Sequence, residues 1–142
     1  MRALLAGGLL AALVLAGVGC NDDPAEGALG PGTVTVELEL HHSRFSPSRL
    51  RVVEGTTVRF VVHNTDPIDH ELIVGPPSVH RRHERGTEPY HPPKPGEVSV
   101  LAGTTAETTY HFHERGTVEM ACHLPRHYAY GMRGEIQVVA AS

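Results

Sequence analysis

The sequence predicts an all-β fold, an antiparallel two-sheet Greek-key sandwich of about eight strands. Three observations point there. Apolar residues recur with period two in several short runs. Gly and Pro punctuate those runs at regular spacing. No stretch after the N-terminal leader carries a helical apolar period.

The elements follow in order. Thr33 to Leu40 alternates, with Val34, Val36, Leu38 and Leu40 on one face, the pattern of a half-buried strand. Phe45-Ser-Pro47 breaks it, and Leu50 to Val53 is a short second strand. Glu54-Gly55 is a turn, and Thr57 to Asn64 alternates again, with Val58, Phe60 and Val62 inward. The stretch Thr65-Asp-Pro67 turns the chain, and His70 to Val74 is a fourth strand. Residues 75–96 hold six prolines and three histidines without apolar period. They read as a long loop, a length that calls for a function. Glu97 to Leu101, Thr104 to Phe112, Thr117 to Cys122 and Gly134 to Val139 complete the strands.

The chain of 142 residues divides as a leader at 1–19, a tether at 20–32 and one domain at 33–142. Met1-Arg2 and the apolar run Ala3 to Val18 read as an export signal. The Gly19-Cys20 junction resembles a bacterial lipoprotein signal, with Cys20 lipidated and anchored to a membrane. Gly17 departs from it, since a large aliphatic residue is usual there. Plain secretion and an uncleaved anchor are the alternatives. The polar residues 21–32, rich in Gly and Pro, suit a flexible tether. The expected location is therefore extracytoplasmic.

A formal charge of −4, from 12 Lys+Arg against 16 Asp+Glu, lacks the basic footprint of a nucleic-acid binder. No phosphate loop or hydrolase motif is present, so an enzyme is not expected. The chain has 11 histidines and two cysteines. Histidine excess with scarce cysteine points to metal before a disulfide scaffold. With Cys20 lipidated, Cys122 has no disulfide partner, and an unpaired thiol in an oxidising compartment needs protection or a metal.

The informative segment is Cys122-His-Leu-Pro-Arg-His127-Tyr-Ala-Tyr-Gly-Met132, between the last two strands. It offers a thiolate, an imidazole and a thioether within 11 residues. Such soft and borderline donors select copper over hard cations. A fourth donor has to come from elsewhere. His70 opens a strand just after the Asp66-Pro67 turn and can sit at the same end; His63 and His80 are alternatives, and His63 faces outward by parity with Val62. His123, next to Cys122, points to the other side of its strand and reads as a non-ligand, with a C-x-H arrangement as the alternative.

These residues carry a resemblance. Phe45-x-Pro47-x-x-Leu50-x-Val52-x-x-Gly55-x-x-Val58-x-Phe60-x-x-x-Asn64 resembles the opening strands of the cupredoxins, the small blue-copper proteins. Cys122, His127-Tyr-Ala-x-Gly131-Met132-x-Gly134 resembles their ligand loop, nearest the pseudoazurin and plastocyanin branch. The resemblance spans nearly the whole domain. It implies one type 1 copper per chain, held by His70, Cys122, His127 and Met132, and single-electron transfer between redox protein partners; a monomer is the default for a carrier whose site two partners approach in turn. His70, His127 and Cys122 would form a near-trigonal plane with Met132 as a weak axial ligand. His127 would be the electron port, ringed by Leu124, Pro125 and Tyr128. One departure stands out: where many members have Asn after the first histidine ligand, this chain has Glu71, a carboxylate placed to tune or shift the ligand loop.

The remaining histidines, His41, His42, His80, His83, His91, His111 and His113, are expected to be solvated. The competing reading is a second, labile copper or zinc site, from His80, His83 and His91 or from His111 and His113. That reading belongs to a second functional class, an extracytoplasmic copper-binding, delivery or resistance protein. An accessory domain of a multicopper oxidase is a third class, opposed by the missing histidine before Cys122 and by the chain's length. A purely structural sandwich is the plainest alternative.

Overall fold

The computed structural model describes residues 27–86 and 90–141. The expected leader, Cys20 and most of the tether lie outside the described residues. Among the described residues, nine strands and one helix are found: β1 (Thr33–His41), β2 (Arg44–Ser46), β3 (Arg49–Val53), β4 (Thr56–Asn64), β5 (His70–Gly75), α1 (Pro77–Arg85), β6 (Glu97–Val100), β7 (Thr105–Phe112), β8 (Gly116–Ala121) and β9 (Arg133–Val139). They make two sheets, ordered β2-β1-β4-β7 and β3-β9-β8-β5-β6.

The period-two reading matches the burial. In β1, Val36, Leu38 and Leu40 are buried while Thr35, Glu37 and Glu39 face solvent. Phe60, Phe112, Leu72, Met120 and Ile136 fill the space between the sheets. Leu29, within the stretch read as tether, already packs against this core and bridges Val52.

The pairing is mixed rather than purely antiparallel. β1 runs parallel to β4, and β3 parallel to β9. The reason lies at Pro47. It has no N–H to donate, so the ladder of β2 ends there and the chain crosses to the other sheet as β3. β4 then returns to the first sheet in the direction of β1. The sequence shows this break but not which strands pair across it.

The second difference is α1, in the stretch expected to be loop. Pro77 occupies the first turn, where a missing N–H costs nothing. Arg82, His83 and Arg85 lie in the last turn, favourable against the helix dipole. His80 and His83, three apart, are its buried face. Because that face is histidine, no apolar period announces the helix. α1 covers the outer face of β5, which is why all of β5 is buried and Ile73 is inaccessible.

Glu97 at the start of β6 fastens this cover. Its carboxylate takes hydrogen bonds from Lys94 Nζ at 2.9 Å, His83 Nε2 at 2.8 Å and the Arg82 guanidinium. Burial works to raise the Glu97 pKa, but these three donors outweigh it and bring it from the usual 4.5 down to about 2. A folded-state pKa below the unfolded one means that ionised Glu97 favours the fold. The stabilisation is complete above about pH 4.5 and is lost as the pH falls toward 2. Thermal melts of the metal-free protein across that window are expected to show a falling Tm that Glu97→Gln flattens; an unchanged slope in the variant would refute the role.

Candidate metal centre

One end of the sandwich collects the start of β5, the end of β8 and the start of β9. His70, the first residue of β5, is buried. Its Nε2 lies 2.8 Å from Asp66 Oδ2. Asp66 is itself gripped by the backbone N–H groups of His42 and Ser43, at 2.7 and 2.8 Å. Those two residues take left-handed φ of 50° and 53°, which turns both N–H groups to one side. Burial raises the Asp66 pKa, but the Ser43, His70 and His42 hydrogen bonds reverse this and leave it lowered. An ionised Asp66 accepts the Nε2–H of His70, so the His70 lone pair sits on Nδ1.

The loop from Cys122 to Met132 is held by its own backbone. Cys122 N–H donates to Met132 O at 3.1 Å, Met132 N–H to His127 O at 3.0 Å and His127 N–H to Leu124 O at 3.0 Å. Gly131, with φ of +91°, supplies the left-handed step that returns the chain to β9. Arg44 Nη1 donates to Tyr130 O at 2.7 Å and ties the loop to the other sheet.

Three donors meet in this frame. His70 Nδ1 and His127 Nδ1 are 3.2 Å apart, and Cys122 Sγ is 3.2 Å from His127 Nδ1. All three donor atoms lie within 4.8 Å of one another. Metal bonds of about 2.0–2.3 Å place the donors of a trigonal plane roughly 3.5–4 Å apart, so this set needs little movement to close on one ion. Met132 is fully buried in the same core cluster as Cys122. A thiolate with two imidazoles, and a thioether in the same loop, is the donor chemistry of a copper centre, and these residues fit that metal.

Burial pushes the Cys122 thiol up to about 12, against the lowering effect of its backbone hydrogen bonds. Without metal it is a protonated, shielded thiol, and thiols in that state resist oxidation. Burial, then the neighbouring His70, lowers the His127 pKa, which keeps its imidazole neutral and available to a metal.

His63 is elsewhere, paired with Glu37 at 2.6 Å, and His80 lies on the buried face of α1. His123 points away from Cys122, with Nε2 2.9 Å from His80 Nδ1. Glu71 is buried, and its Oε1 accepts the His123 backbone N–H at 2.8 Å, bracing the strand beside Cys122. Tyr128 is taken up by Glu119, to which its hydroxyl donates at 2.8 Å, and by the His123 ring; Tyr130 is the exposed aromatic of the loop. The expectation of solvated histidines fails for His80, His83 and His91, all buried. The His80-x-x-His83 spacing was the one signal for this, since it places both rings on one helical face. His111 and His113 stack on each other on the surface.

A family model for copper-binding proteins of the plastocyanin/azurin family matches residues 32–139, and the chain belongs to that family. Among curated relatives it is 34% identical over 118 residues to the copper-resistant cuproprotein CopI of Rubrivivax gelatinosus, a match spanning 81% of this chain and 71% of that protein. The CopI of Pseudomonas aeruginosa is 28% identical over 177 aligned positions, 96% of this chain and 97% of that one. Among solved structures, reduced auracyanin from Roseiflexus castenholzii superposes with a TM-score of 0.64 at 21% identity, over 80% of this chain and 99% of that one. That likeness shows the shared cupredoxin fold.

Proposed function

We propose that this protein is an exported copper-resistance protein that holds one copper at a type 1 centre of His70, Cys122, His127 and Met132. The observation that carries the reading is the convergence of Cys122 Sγ, His70 Nδ1 and His127 Nδ1 within 4.8 Å in a buried, backbone-braced frame. The copper-resistance relatives support the physiological role. The apolar leader and Cys20 support export and anchoring.

The chemistry divides plainly. Copper, when bound, supplies one-electron redox chemistry and a high affinity for soft donors. Asp66 holds the tautomer of His70, Glu71 braces the cysteine strand, and the core excludes water. A second reading, electron carriage to redox protein partners, is favoured by one observation. His127 is half-buried at the surface, with Leu124 beside it and Tyr130 exposed in the same loop, a rim on which a partner can dock.

The test is genetic. In a strain lacking this protein, growth at raised copper is expected to fall and to be restored by the wild-type gene but not by His127→Ala. Full rescue by His127→Ala, at equal protein levels, would remove the centre from the function.

A further inference from the structure

A second set of donors meets on the outer face of β5, beneath α1. Side chains alternate along a strand, so Glu71 points opposite to His70. Its Oε1 is taken by the His123 N–H, while its Oε2 faces His91 Nε2 at 3.5 Å and His83 Nδ1 at 4.0 Å. Donor atoms of Glu71, His83 and His91 all lie within 4.8 Å of one another, and all three residues are buried.

Both rings are oriented for this meeting. His83 Nε2–H donates to Glu97, which Lys94 and Arg82 hold ionised, so the lone pair of His83 is on Nδ1. A carboxylate behind a ligating histidine is the usual support of a metal site. The backbone N–H of His91 donates to Ser99 Oγ at 3.0 Å, and its Nδ1 lies 3.4 Å from Pro92 O. That leaves the lone pair on Nε2. His91 Nε2 is buried and has no hydrogen-bond partner among the described residues. A buried acceptor without a partner is costly; an ion between His91 and Glu71 accounts for it.

We propose that Glu71, His83 and His91 form a second metal site that takes Cu(II) through one carboxylate oxygen and two imidazole nitrogens. The donor set contains no sulfur, so it does not favour Cu(I). Among divalent first-row ions, an N/O site of this kind binds Cu(II) most tightly. In a tetragonal Cu(II) site with bonds of about 2.0–2.1 Å, neighbouring donors lie roughly 2.9 Å apart and opposite donors roughly 4 Å apart, a span that covers the 3.5 and 4.0 Å separations of His91 and His83 from Glu71 Oε2. His80 and His123 are not donors here, because their nitrogens face each other. Glu71 joins the two centres: it follows His70 in sequence and braces the residue after Cys122. The site rests on the geometry; only that copper, rather than zinc, is the ion supplied to it rests on the copper-handling reading.

The experiment is a Cu(II) titration of the whole exported chain, with metal counted per protein after desalting and spectra recorded by visible absorption and electron paramagnetic resonance. Wild type is expected to retain two coppers. His91→Ala and His83→Gln are each expected to retain one, with the thiolate-to-copper band intact, and to weaken the second equivalent about 100-fold or more. Cys122→Ser is expected to lose the band and keep one Cu(II) with nitrogen and oxygen ligation. One copper in wild type, two in both histidine variants, or a His91-dependent site that retains zinc in preference to copper would each overturn the proposal. An absent band in wild type would overturn the type 1 reading instead, whatever the count at Glu71.

Discussion

Replacing Cys122 by serine is expected to erase the intense visible absorption of the copper-loaded protein entirely. The absorption comes from charge transfer between a thiolate and copper, and Cys122 is the free thiol of the domain. A serine hydroxyl is a hard donor that stays protonated in the site, so the affinity of the His70–His127 site for copper is also expected to fall by at least about 100-fold. The fold is expected to survive. Ser and Cys are close in size, and a hydroxyl in this fully buried position costs about 1–3 kcal/mol if it finds no partner. Absorption spectra, chelator competition and a thermal melt of the metal-free variant read these three effects separately. A band that persists in Cys122→Ser would place the thiolate elsewhere.

The second large effect is expected at Asp66, a residue that touches no metal. Asp66→Ala removes the acceptor for His70 Nε2–H and for the His42 and Ser43 N–H groups at once. His70 loses the partner that sets its tautomer and its ring plane, and loss of such a support costs about 10–100-fold in metal affinity. The turn between β1 and β2 loses the carboxylate toward which two left-handed residues turn their N–H groups. Unpaired buried donors cost about 1–3 kcal/mol each, so the metal-free protein is expected to be destabilised by about 3 kcal/mol. Chelator competition measures the first effect and denaturant unfolding the second. Unchanged affinity in a destabilised variant would reduce Asp66 to a purely structural role.

Asp66 also illustrates what sequence spacing conveys. It appears in the sequence only as part of a turn, and its partners His42 and Ser43 lie more than twenty residues earlier. The loop of Cys122, His127 and Met132 was legible because its candidate donors are near in sequence, and the loop's backbone hydrogen bonds hold Cys122 Sγ 3.2 Å from His127 Nδ1. The strands were legible because burial on one face imposes period two, as Val36, Leu38 and Leu40 show. α1 was not legible, because its inward face is His80 and His83 rather than leucine or valine.

The sequence by itself therefore determined the sandwich and the end of it that carries the thiol, and it offered His70, with His63 and His80 as alternatives, to join it. Covalent spacing and side-chain alternation act over a few residues and need no knowledge of neighbours. Only the tertiary structure decided the parallel pairing of β1 with β4, the brace from Glu71 to His123, and the approach of His83 and His91 to that carboxylate. These join residues of different elements, and the packing of β1 on β4, of β8 beside β5 and of α1 on β5 sets their distances.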